Sequence, residues 1–260
     1  MDRDQLFFTN EFNFDVERSG PNFRLTHLNS ADVVNLSDDG GSGSDLLISV
    51  EEIDFVGNVG APSDFITPPI VERVIVQPII VSDDDGSNTA TAFGNAQQEA
   101  EIKRRIDRIY AQIGIDFEFL PTAQYNNSFV NGTGEGVRDD SDFRPIFSTG
   151  DADGVGSSDP LVVDLYFINR VPGFQSPNFG TNGRAFLGTS GSLVAIADGL
   201  TESNSGRDRI AAIIGHEIGH NLGLDHTDDV ETLLDPFVTS RVLTETQGVE
   251  ARASNLSRPV

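Results

Sequence analysis

Residues 216–226 read His-Glu-Ile-Gly-His-Asn-Leu-Gly-Leu-Asp-His, and they hold three of the chain's four histidines. The pattern H-E-x-x-H-x-x-G-x-x-H specifies five residues at set offsets. Average residue usage would produce it in roughly one chain of this size in a hundred thousand. Three neutral imidazoles, from His216, His220 and His226, make a donor set suited to zinc. Three protein ligands leave a fourth tetrahedral position open, and an open position marks a catalytic site rather than a structural one. Glu217 directly follows the first histidine, where a carboxylate can take a proton from a bound water and later deliver it to a leaving amine.

The elements that must position these groups can be read from the same stretch. On a helix, residues i and i+4 share a face, so His216 and His220 can point at one ion. Gly223 stands where a helix can end in a left-handed residue, turning the chain back to deliver His226. Ile210, Ile214, Ile218 and Leu222 repeat every four residues as a core-facing stripe. His216 lies about 200° round the helix from that stripe, which turns the ligands toward a cleft. A surface helix with solvated histidines explains neither Gly223 nor His226.

These eleven residues resemble the zinc signature of the metzincin metalloendopeptidases. The resemblance implies a zinc-dependent endopeptidase. Its fold would be α+β: a mixed twisted sheet with a long helix and an active-site helix above a small C-terminal subdomain. Metzincins carry a methionine in a tight turn beneath the zinc, whereas the single methionine here is Met1. The turn equivalent would be residues 232–236, with Leu234 at the methionine position; Leu and Met have similar volumes. Some members supply a tyrosine just after the turn, but Tyr110, Tyr125 and Tyr166 all lie upstream. By the same resemblance, 191–197 would be an edge strand above the cleft. Gly191, Leu193 and Ala195 would then bind an extended peptide by backbone pairing, with an ordinary buried strand as the alternative. Phe237 would line a substrate pocket or fill the core.

The composition bounds the rest. Asp+Glu number 41 against Lys+Arg 17, for a formal charge of −24 over 260 residues. Such a surface repels nucleic acid and anionic membranes; the resemblance implies a protein or peptide substrate, and a monomer is expected. The acidity serves solubility, calcium binding, or both. The best calcium candidate is the glycine-rich stretch 150–159, with Asp151, Asp153 and Asp159, although it lacks the full EF-hand pattern. The acidic turn 83–86 is weaker. With no cysteine, disulfides and inhibition by a propeptide thiol are both excluded. No segment has the basic start and apolar run of a signal peptide, and no apolar stretch approaches the roughly 20 residues that span a bilayer. An uninhibited endopeptidase is hazardous in cytosol, so the expectation is a secreted, extracellular protein.

Two regions follow from the patterning. Residues 1–68 read as β-rich or propeptide-like. Alternation at Phe12, Phe14 and Val16, and at Phe23 and Leu25, suggests half-buried strands; 46–50 is another, and 38–45 is a loop. Residues 55–58 faintly resemble the propeptide switch of astacin-type metzincins, with Asn58 in place of its aspartate. His27 reads as structural or solvent-exposed. Residues 69–260 read as the catalytic domain. The β-branched run 71–81 is interrupted by Pro78, which predicts an edge strand or a bulge. Asn95 and Gln98 predict a capping box for a helix bearing Ile102, Ile106, Ile109 and Ile113 and stopped by Gly114. Strands are expected at 115–120, at the nearly continuous apolar run 161–168, and at 191–198. Thr244 and Gln247 predict a cap for a C-terminal helix.

Two rivals stand beside the peptidase. One is a non-catalytic, metal-binding adhesive or matrix module on a metzincin scaffold, which the missing methionine favours and the intact Glu217 opposes. The other is an enzyme held inactive by residues 1–68.

Overall fold

The computed structural model describes residues 69–133, 140–173, 182–230, 232–238 and 240–260, and the backbone of six short strands within 1–68. The chain divides into two units, Met1–Pro69 and Ile70–Val260. In the first, β1 (Gln5–Phe8) pairs parallel with β5 (Glu52–Phe55), which forms a hairpin with β6 (Asn58–Gly60). A second sheet is the antiparallel meander of β2 (Phe14–Ser19), β3 (Asn22–His27) and β4 (Ser44–Leu47). The side chain of His27, the expected loop at 38–43, the dipeptide at 56–57 and the boundary at 67–68 lie outside the described residues.

In the second unit, β-branched residues dominate β7 (Glu72–Ser82), and this strand organises a seven-stranded, mostly parallel sheet. One flank of β7 pairs in parallel with β8 (Ile115–Phe119) and then with β9 (Ala123–Asn126). The other flank pairs in parallel with β10 (Val162–Phe167) and, at its start, antiparallel with β13 (Ser257–Pro259). Beyond β10 lie β12 (Ser192–Ala195), in parallel, and β11 (Asn182–Ala185), antiparallel at the edge. Four-residue α2 (Ser128–Asn131) and α3 (Phe143–Ala152) connect β9 to β10.

Pro78 does not mark an edge, because β7 is central. The Val76 carbonyl accepts from the Leu120 N–H (2.9 Å). By alternation Pro78 faces the same neighbour, at the point where β8 has ended and β9 has not begun. The missing N–H therefore costs no ladder bond. The Gln77 side chain spans the gap by donating to the Pro121 carbonyl (2.8 Å).

Strand alternation splits the core in two. On one face Val74, Val76, Leu165, Phe167 and Val194 pack with α1 (Ala96–Ala111) and α4 (Asn204–Asn221). On the other, Ile79, Val81, Tyr166, Leu193 and Ala195 pack with Phe143 and Ile146 of α3. Helix α1 starts with the expected reciprocal cap between Asn95 and Gln98, buries Ile102, Ile106 and Ile109, and ends before Gly114 at φ +74°. Helix α5 (Glu245–Arg252) carries the Thr244–Gln247 capping box. Helix α4 buries the stripe Ile210, Ile214, Ile218 and Leu222. Ala211, Ala212 and Ile213 are buried as well, so the helix is enclosed on nearly all sides. Among the described residues, no helix is long and apolar enough to cross a membrane.

Candidate metal centre

Helix α4 ends where its sequence says it should. Gly223 adopts φ +98°, its N–H bonds the His220 carbonyl (2.9 Å), and the Leu224 N–H bonds the Gly219 carbonyl (3.0 Å). This reversal brings His226 back to the helix, where the three Nε2 atoms lie 3.0–3.2 Å apart. His216 is buried, His220 half-buried and His226 exposed, so the cluster opens to solvent through its third member.

The ring nitrogens on the far side fix the chemistry. His216 Nδ1–H donates to the Leu233 carbonyl (2.8 Å), and His220 Nδ1–H donates to the Leu224 carbonyl (2.7 Å). A carbonyl only accepts, so both protons sit on Nδ1 and both Nε2 atoms present lone pairs. Two lone pairs 3.0 Å apart repel, and no hydrogen bond joins them. Burial also holds the His216 ring neutral, lowering its pKa to about 4, and depresses that of His220. Convergent, neutral, second-atom-anchored imidazoles fit a dication: tetrahedral zinc holds nitrogen ligands about 3.3 Å apart. Among the described residues, this is the sole group of three or more His, Cys, Asp or Glu side chains with ligand atoms so close.

Glu217 is 5% exposed, and its Oε2 has no hydrogen-bond partner. The carboxyl group lies against the backbone of Gly183 in β11, so closely that a Cβ there would sit 2.3 Å from Oε1. Burial pushes its pKa up to about 8. A dication alongside acts the other way and favours the charged form.

The turn at 232–236 supports the site from below. The Leu233 carbonyl is the acceptor for His216, and the Leu234 carbonyl accepts from the Thr227 N–H (3.1 Å). Leu233 and Leu234 are both fully buried, and Leu234 reaches the backbone of Gly219 one residue before His220. Pro236 and Phe237 continue into a cleft of about 630 Å³. Gly183, Arg184, Arg209, Glu217 and the three histidines also line it. Phe237 is 77% exposed, so it is a cleft residue and not a core aromatic.

Two expectations need correction. Strand β12, expected at the edge, is paired on both sides, and the edge belongs to β11. Leu193 and Ala195 point into the α3 core on the sheet face opposite α4, and Gly191, at φ +113°, is a turn residue against Phe147 and Phe186. None of the three faces the cleft. Asp151, Asp153 and Asp159 do not gather around a common point either. Asp153 accepts from the Tyr125 hydroxyl, whereas Asp159 pairs with Arg258 (2.7 Å).

Sequence reading missed three supports. The Tyr110 hydroxyl donates to the Gly215 carbonyl (2.6 Å), tying α1 to α4 one residue before His216. Asn221, fully buried, donates to the carbonyls of Phe186, Thr189 and Gly191 (2.7–3.1 Å) and accepts from Ser192. It staples the end of α4 to the β11–β12 hairpin. Arg184 lines the cleft, paired with Asp140 (2.7 Å) and over the Phe143 ring (4.4 Å). Only the polar Asn221 inside an apolar helix left a signal in the sequence.

Residues 177–256, under a third of the chain, match the sequence model of peptidase family M48. No curated protein sequence matches this chain. Among solved structures, the chain is similar to the archaemetzincin of Archaeoglobus fulgidus, at 14% identity and TM-score 0.39, covering 68% of this chain and 99% of that one. It is similar to the archaemetzincin of Methanopyrus kandleri at 14% identity and TM-score 0.34, covering 69% and 87%. Metalloproteinase-II from Bacteroides fragilis gives 10% identity and TM-score 0.40, covering 91% and 74%. Likenesses of this degree leave the functional reading to the site itself. The family match spans α4 and the turn beneath it, and with the histidine triad it supports a zinc metallopeptidase.

Proposed function

We propose that this protein is a zinc-dependent endopeptidase in which Glu217 is the general base. The observation that carries the reading is the buried, half-unpartnered Glu217 carboxylate held between the histidine helix and the sheet edge. His216, His220 and His226 would hold the ion. When bound, zinc supplies Lewis acidity that lowers the pKa of a water to near neutrality. The Glu217 carboxylate, which lines the cleft beside the histidines, accepts that water's proton and returns it to the leaving amine. The peptide lies along β11, whose outer backbone edge lines the cleft at Gly183, Arg184 and Ala185. Phe237 offers an exposed apolar surface for a side chain beyond the cut bond. β11 pairs on one side only, so an extended chain can lie along its free edge, which suits internal peptide bonds. Leu234 takes the place of a methionine beneath the site.

The test is Glu217→Ala on zinc-loaded protein with a denatured protein substrate. Cleavage should vanish while zinc stays bound; undiminished cleavage refutes the assignment. His226→Ala should release zinc, and full metal occupancy would argue against the third ligand.

A further inference from the structure

On the face of the sheet away from the histidines, a buried carboxylate interrupts the most apolar strand. Asp164 stands in β10, every residue of which is buried, and it is itself 8% exposed. Strand alternation places it on the same face as Tyr166, two residues on. Tyr166 is fully buried, and its hydroxyl has no hydrogen-bond partner. The hydroxyl presses on the backbone of Gly150 in the last turn of α3, where a Cβ would come within 2.1 Å of it. Just beyond, at Asp151, α3 contributes a second carboxylate.

Three oxygens converge beside Gly156. From the point where a Cβ of that residue would stand, Asp151 Oδ1 is 2.7 Å away, Asp164 Oδ2 3.1 Å and the Tyr166 hydroxyl 3.6 Å. The Ser157 N–H bonds the other oxygen of Asp164 (2.9 Å), leaving Oδ2 turned inward. Neither aspartate belongs to any ion pair found among the described residues. Two like charges and an unpartnered hydroxyl therefore face one another, an arrangement that is costly unless something positive lies between them.

We propose that Asp151, Asp164 and Tyr166 form a second cation site, for a hard, oxygen-seeking divalent ion of the calcium class. Oxygen donors with no nitrogen or sulfur among them select such an ion over zinc. Gly150 and Gly156 make the cradle, because a side chain at either position would fill it. Burial, with Asp151 as a further cause, raises the Asp164 pKa to about 6, and a bound cation removes both penalties. Of the three aspartates that the sequence suggested, only Asp151 takes part. The site couples the end of α3 to the central strand, so its role is structural and independent of peptide hydrolysis.

Terbium serves as the probe, since it replaces calcium and is lit by nearby tyrosine. The chain has three tyrosines and no tryptophan. On zinc-loaded protein, terbium should give saturable, one-to-one sensitised emission that calcium competes away, and calcium should raise the melting temperature. D151N and D164N should each weaken terbium binding at least tenfold, and G156A should block it. Y166F should dim the emission. D159N, outside the site, should bind as the parent does. If D164N fails to fold, D151N at the exposed helix end carries the test alone. Absence of saturable emission, or D151N and G156A binding like the parent, overturns the proposal. So does equal weakening by D159N, which would mean diffuse attraction to an acidic surface.

Discussion

Gly183→Ala is the sharpest probe of how the base is held. A Cβ on Gly183 would lie 2.3 Å from Glu217 Oε1 and 2.5 Å from both Cδ and Cγ. Carbon and oxygen atoms in ordinary contact keep about 3.5 Å, so some group must move by about 1 Å. The carboxylate has little room to yield, being 5% exposed in a helix packed on nearly all sides. A 1 Å misplacement of a catalytic group costs about 100-fold, equivalent to about 2.7 kcal/mol of barrier. The overpacking should also cost about 1–3 kcal/mol of stability. Steady-state kinetics on a peptide substrate, with zinc content and melting temperature alongside, read the outcome. A displaced carboxylate lowers kcat; a displaced β11 raises KM, because that strand is the proposed peptide platform. A Gly183→Ala enzyme with parental kcat/KM and full zinc would refute the account of Glu217 as wedged against the strand.

Other changes test the supports. Gly215→Ala puts a Cβ at ordinary contact, 3.6 Å from Leu233 and Tyr110. It should stabilise the helix by about 0.5–1 kcal/mol, with kcat/KM unchanged, as thermal melts and kinetics would show. Asn221→Ala strips partners from three carbonyls and Ser192, so chemical denaturation should show a loss of about 2–3 kcal/mol. Burial, and then Asp116, raise the Asp107 pKa to about 7. That is above its unfolded value, so the folded state holds the proton more tightly. Stability is then full below about pH 4 and declines as pH rises to about 7. Asp107→Asn should match the parent at pH 4 and exceed it at pH 8 by about 1–2 kcal/mol, discounted because the residue is only half-buried. Equal stabilities at both pH values would count against this.

What was legible in the sequence is what local geometry decides. The ligand triad needs only the i, i+4 spacing of His216 and His220 and a left-handed Gly223, and all three are written within eleven residues. The caps at Asn95 and Thr244 are local in the same sense. The errors came where pairing partners decide. Residues 192–195 look the same as an edge strand or an inner one, since both read as short apolar runs. The edge fell to 182–185, Asn-Gly-Arg-Ala, which carries almost no strand signal, because an edge strand beside a cleft needs small residues and free backbone more than β-propensity. Pro78 misled for a related reason. The rule that excludes proline from central strands concerns a lost hydrogen bond, and at this position the partner strand is broken.

The same distinction explains why the base, more than the ligands, depends on the whole fold. A helix can aim two histidines by its own periodicity, but it cannot desolvate a carboxylate. Glu217 is dry because β11 lies across it, and β11 lies there because Asn221 holds the hairpin to the end of α4. Tyr110 fixes the helix from the opposite side through the Gly215 carbonyl. Glycines at 183 and 219 are the places where these groups approach most closely, Glu217 at the first and Tyr110 and Leu234 at the second. Zinc affinity should therefore outlast activity under mild perturbation. Loosening the hairpin wets the carboxylate and lets it drift, while the Leu233 and Leu224 carbonyls continue to orient His216 and His220. Titrating denaturant while following bound zinc and turnover together should show turnover failing first; coincident loss would mean that strand, helix and turn yield as one unit.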